Sequence, residues 1–264
     1  MIEMLRTSLR KYLPGIALRR LTLASALMAT ASIATAMPDG ITDEEMALIP
    51  IYCPYTQSFG KAAGGFRGAP SPLQKPWVAV MGDGFWAVHH YCWAQINLQR
   101  ALRSSTTSQQ RKHLLETVRA DYGYVVKNSP KNFILLPELH TRLGEVEVRL
   151  VRYREADQSF AKARALKPDY WPAYSHWAEV LINAGKRAEA KQLVKTGLEY
   201  SPNSRVLIEQ YRLLGGKPSE IVPKVRPKAS ESPPGEASTP AQPEEEALPD
   251  KAVNAAPPAV GTDE

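Results

Sequence analysis

Apolar residues return at three- and four-residue steps from about Gly84 onward, the spacing that lines them along one side of a helix. Phe85, Val88, His89, Cys92 and Ile96 share one such side, predicting a helix from about Gly84 to Arg103. Ser104 to Ser108 interrupts the pattern, and Ser108 is placed to cap a second helix running from Gln109 to Lys127. Its stripe is Leu114, Leu115, Val118, Tyr122 and Val125, and Pro130 closes the pair into a helical hairpin over residues 84–130. Residues 37–83 hold few long periodic stretches. Thr42, with Glu45 three residues on, fits a capping box at the start of a short helix. Gly60 to Pro76 carries Gly64, Gly65, Gly68, Pro70 and Pro72 and reads as a surface loop.

Farther along, the pattern repeats. Pro168 and Pro202 stand 34 residues apart, and the positions before them correspond at that offset: Ala156 with Ala190, Phe160 with Val194, Ala163 with Gly197. One unit begins at Pro137, the next at Trp171, and a third at Arg205 ends after one helix at Leu214-Gly215-Gly216. Small residues at matched positions let two antiparallel helices approach, while Tyr174, Trp177, Leu181 and Phe160 fill the space between hairpins. Each proline stops its helix because the ring disfavours helical geometry in the residue before it. A fixed period built from two helical stretches is the mark of stacked hairpins, and about three are needed to close a core. The divergent hairpin over 84–130 supplies the extra one.

These residues resemble the tetratricopeptide repeat over residues 131–216. The departures are Gly197 where alanine is usual, Glu147 where an aromatic is usual, and His140 where tryptophan is usual. The resemblance implies an all-α fold, a short stack of antiparallel helical hairpins whose first helices line a concave groove. Transferred position by position, that groove would present Glu138, Thr141, Glu145 and Arg149 from the first unit, and Ser175, Glu179 and Asn183 from the second. A polar lining of mixed charge suits a protein partner or an extended peptide.

The ends of the chain change the charge argument. Arg6, Arg10, Lys11, Arg19 and Arg20 precede an uncharged run from Leu21 to Ala36, and Ala34-Thr35-Ala36 is a small-x-small cleavage site. Residues 1–36 thus read as a secretory signal peptide, with a periplasmic or secreted destination. The apolar run is shorter than the ~20 residues that span a bilayer, so cleavage is expected and no transmembrane anchor after it. Removing the leader lowers the net charge from +6 to about +2, which argues against a nucleic-acid partner. From Lys217 to Glu264, prolines alternate with Ser, Glu and Ala around an acidic knot at Glu244, Glu245 and Glu246. That composition predicts a disordered tail.

His89-His90-Tyr91-Cys92-Trp93 is the densest chemical cluster. His89, His90 and Cys92 could ligate a metal, or serve a haem-dependent sensor or enzyme. Cys92 could act as a nucleophile beside a histidine. Or Cys92 could pair with Cys53. Two cysteines in an exported chain favour the disulfide, and haem attachment through Cys-x-x-Cys-His has no matching motif. Without a serine nucleophile elbow, a His-Glu-x-x-His or a glycine fingerprint after a strand, the chain reads as a non-catalytic module that needs no cofactor.

Overall fold

The structure, a computed structural model, describes residues 37–59 and 64–224. The leader expected over residues 1–36 and the acidic knot of the expected disordered tail lie outside the described residues. Among those residues the regular elements are helical: α1 (Asp43–Ala47), α2 (Lys75–Met81), α3 (Val88–Ala101), α4 (Ser108–Asn128), α5 (Leu136–Arg149), α6 (Tyr153–Leu166), α7 (Pro172–Asn183), α8 (Arg187–Tyr200) and α9 (Arg205–Leu213). None of them is long and apolar enough to cross a membrane.

The hairpins pack as the size pattern requires. Helix α3 lies on α4, α5 on α6 and α7 on α8, and each hairpin meets the next through α4–α5, α6–α7 and α8–α9. The first helices α5, α7 and α9 also touch in succession, so they form one continuous layer. Ala156, Phe160, Ala163, Ala178, Ala190 and Val194 are fully buried. The glycine substitution at position 197 has a steric cause. A Cβ there would lie 2.8 Å from Leu207 Cδ1 and 2.9 Å from Tyr174 Cγ, so the bulk of Tyr174 occupies the space an alanine methyl would take.

Glu147 likewise has a specific setting. It is buried beside Arg119 of α4 and Arg152, with carboxylate–guanidinium distances of 4.0 and 3.7 Å, and Arg152 also grips Glu116. Where an aromatic would fill space, this chain places a charged network joining the divergent hairpin to the first repeat.

Three helices end alike. Two residues beyond α5, α7 and α9 stand Val151, Gly185 and Gly215, each left-handed with φ of 62°, 76° and 73°. The next amide reaches back five residues in each case: Arg152 N to Glu147 O, Lys186 N to Leu181 O, and Gly216 N to Tyr211 O, all at 2.8 Å. These are Schellman caps. Glycine meets the left-handed requirement without strain, whereas β-branched Val151 does not.

In the N-terminal arm, Thr42 and Glu45 form the capping box expected of them. Glu45 then accepts hydrogen bonds from Arg100 and Arg103, tying α1 to α3. The disulfide joins Cys53 to Cys92. Several boundaries differ from the sequence reading. Lys75–Met81 is a helix inside the supposed irregular region, with Pro76 in its first turn, where a missing amide costs little. Gly82–Ala87 is a 3₁₀ segment leading into α3. Thr107, not Ser108, caps α4, its hydroxyl accepting from the Gln110 amide. The segment expected to begin the tail is packed at first: Ile221 lies against the core of α7–α9, and Lys224 pairs with Glu199 at 2.7 Å.

Candidate functional site

The layer of first helices carries an open groove of about 520 Å³. Helix α5 contributes Arg142, Glu145, Val148 and Arg149, helix α7 contributes His176, Glu179, Val180 and Asn183, and Phe160 supplies part of the wall. Arg142, Glu145 and Arg149 are spaced by three and four residues, so they share one helix face. His176, Glu179 and Asn183 are the same positions one 34-residue period later. The repeat thus brings two matching rows of polar groups to the two banks of one hollow.

Across it, Glu145 Oε1 meets His176 Nδ1 at 3.0 Å. Hydrogen bonding to Glu145 holds the His176 imidazole above its ordinary pKa of 6.5, against the opposing effect of burial. For Glu145, burial alone would raise the pKa. His176 and the nearby Arg142 and Arg149 charges outweigh it and leave the carboxyl below 4.5. Arg142 lies 3.5 Å from both Glu138 and Glu145. Arg149 Nη1 donates to the backbone oxygen of Glu145 at 3.2 Å. Glu179 Oε1 accepts from Gln210 Nε2 of α9 at 3.4 Å.

The seven groove residues expected from sequence separate into two groups. Glu145, Arg149, Glu179 and Asn183 line the hollow together. Thr141 and Ser175 do not, being buried in the helix-packing layer. The Thr141 hydroxyl donates to Pro137 O at 2.9 Å, and the Ser175 carbonyl accepts from Gln210. Both are small enough to pack where the first helices meet, which is why they leave the exposed face. Glu138 is outside the groove too. It accepts a 2.6 Å hydrogen bond from the Tyr91 hydroxyl and so joins α3 to α5. Arg142 and His176 were missed. The signal that finds them is their separation of 34 residues, which gives them one shared repeat position.

The histidine cluster has a different character. Both sulfurs are committed to the bridge, so Cys92 is neither a thiolate ligand nor a nucleophile. His90 Nδ1 lies 2.7 Å from buried Asp121 Oδ1, and its ring is 3.8 Å from that of Tyr124 and 4.5 Å from that of Trp93. Burial, with the neighbouring His90 adding to it, pushes the His89 imidazole down to about 4, so His89 is neutral at pH 7. Among the described residues no three His, Cys, Asp or Glu side chains converge to hold a metal ion.

Residues 152–208 match a family model described as tetratricopeptide repeat. The match runs from the start of α6 through α7 and α8 into α9. It leaves out α5, the helix carrying His140 and Glu147, two of the three departures from the repeat pattern. No curated protein matches the chain.

Proposed function

With tetratricopeptide repeat structure established over residues 152–208, we propose that this chain is a non-catalytic adaptor or assembly factor that holds a protein partner or extended peptide in the α5–α7 groove. One observation carries the reading. The repeat delivers Arg142, Glu145 and Arg149 opposite His176, Glu179 and Asn183 around a single hollow of about 520 Å³. Such a hollow offers hydrogen bonds and ion pairs to a bound backbone, with the half-buried Val148 and Val180 as apolar contacts. The secretory leader read in residues 1–36 supports placing this work in a bacterial envelope complex, in the periplasm or outside the cell.

The test joins capture with a fold control. The full chain should recover a defined partner from envelope extracts, and a variant with Glu179→Lys and Asn183→Ala should lose it. Both substituted residues are exposed, so the variant's thermal melting should match that of the parent. Undiminished recovery by the double variant rules the groove out. Fractionation with mass determination checks the destination: a chain starting near Met37 outside the cytoplasm is expected, and an intact leader in the cytoplasm contradicts it.

A further inference from the structure

A second hollow, of about 330 Å³, lies between the start of α4 and the end of α5. Its charged lining is cationic, from Arg111, Lys112 and Arg149, with no carboxylate among its residues. The excess of positive charge has a plain origin. Between Asp83 and Glu116 the chain has no acidic residue, yet it carries Arg100, Arg103, Arg111 and Lys112. Buried Glu45 engages Arg100 and Arg103, which leaves the charge of Arg111 and Lys112 without a carboxylate at ion-pair distance among the described residues. Arg111 is steadied by donating to the Ala101 and Thr106 carbonyls, at 3.0 and 3.3 Å. Its guanidinium is therefore oriented without being neutralised. The first turn of a 21-residue helix, α4, adds the positive end of its dipole beside Ser108.

The apolar part of the hollow gives an independent pointer. Val151 lines it and is 69% exposed. It is also the left-handed cap residue whose counterparts are Gly185 and Gly215. A β-branched side chain held in a strained conformation, with most of its surface turned to solvent, gains little burial to offset that strain. Strain retained without a structural return is the pattern found at contact sites.

We propose that this hollow receives an acidic side chain from a partner's extended segment, with an apolar neighbour of that residue resting on Val151. The inference builds on the groove reading, because Arg149 lines both hollows and a bound segment would pass over it from one to the other. A recess holding three cations beside Leu115, Leu150 and Val151 fits a point charge on a peptide. A membrane surface, being flat, would need the cations spread over a protruding face.

The probe is a fluorescein-labelled peptide of alternating Glu and Leu, with a Gln–Leu version as control, read by anisotropy against the full chain. The parent should bind the Glu–Leu peptide about tenfold more tightly. Lys112→Ala should weaken binding by about three- to tenfold, and Val151→Gly by about threefold, the latter while raising the melting temperature. A rise in stability together with a loss of affinity is a readout that misfolding cannot produce. Lys131→Ala, which removes one exposed charge elsewhere, should leave affinity unchanged. Equal affinity for the two peptides overturns the proposal, as does binding indifferent to both Lys112→Ala and Val151→Gly. Capture by anionic phospholipid vesicles without discrimination between the peptides overturns it in favour of a membrane surface. Lost peptide discrimination with an intact effect of Glu179→Lys and Asn183→Ala on the extract partner removes this hollow alone, and the reverse result removes the groove alone.

Discussion

His176 and Glu145 show how much one pair of side chains can set. The imidazole is faced by Glu145 and Arg142 from α5 and by Glu179 from its own helix. Its raised pKa means that the His176 contribution to stability is complete below 6.5 and disappears as pH climbs through the higher folded value. Glu145, held below 4.5, contributes above that pH and stops as pH falls through its lowered value. Both are therefore charged between 4.5 and 6.5, and the groove loses one positive charge on passing to alkaline conditions. An NMR titration of the His176 ring should place its midpoint above 6.5, and Glu145→Gln should bring it back toward that value. A midpoint indifferent to the substitution would mean that the 3.0 Å contact does not persist in solution. Nothing in the local sequence announces this pair. The two residues stand 31 positions apart, one repeat less one helical turn, so only the superposition of two hairpins makes them neighbours.

At the scale of the helix, side-chain size was the legible quantity. Alternation of small and large residues with a 34-residue period locates α5 to α9, because close packing leaves few ways to vary volume. Helix α2 was hidden for the opposite reason. Its seven residues make barely two turns, too few to display a period, and Pro76 imitates a loop signal. Exposure on the first helices was only half legible: family positions locate the face, yet Thr141 and Ser175 turn into the inter-helix layer. The tightness of that layer can be measured at Gly197. Alanine there gains about 1 kcal/mol in helix propensity. It must also fit a methyl against Tyr174 and Leu207 at contacts below 3 Å, where overpacking costs about 1–3 kcal/mol. Gly197→Ala is therefore expected to destabilise by about 1 kcal/mol in denaturant unfolding. A stabilised variant would show that α7 and α9 yield readily.

For the described chain as a whole, the question is how far stability is shared. One apolar cluster runs from Ile49 to Val146 through the arm and the first three long helices, and another joins Tyr174 to Tyr211 in α7, α8 and α9. Stacked hairpins contribute stability mainly through contacts with their neighbours, so an event in one cluster need not be felt equally in the other. The Cys53–Cys92 bridge offers the perturbation, since its 39-residue separation lies wholly within the first cluster. Replacing both cysteines with alanine leaves no unpaired polar group in their buried positions and releases a loop whose constraint is worth about 3–4 kcal/mol. Hydrogen exchange should then quicken first in α1, α2 and the start of α3, while the amides of α7 and α8 keep their protection. The bridge would in that case serve to hold an arm of little regular structure against the divergent hairpin, leaving the groove between α5 and α7 intact. Uniform acceleration through α8 would show that the described hairpins melt as one cooperative body, and that the arm supports the groove from a distance.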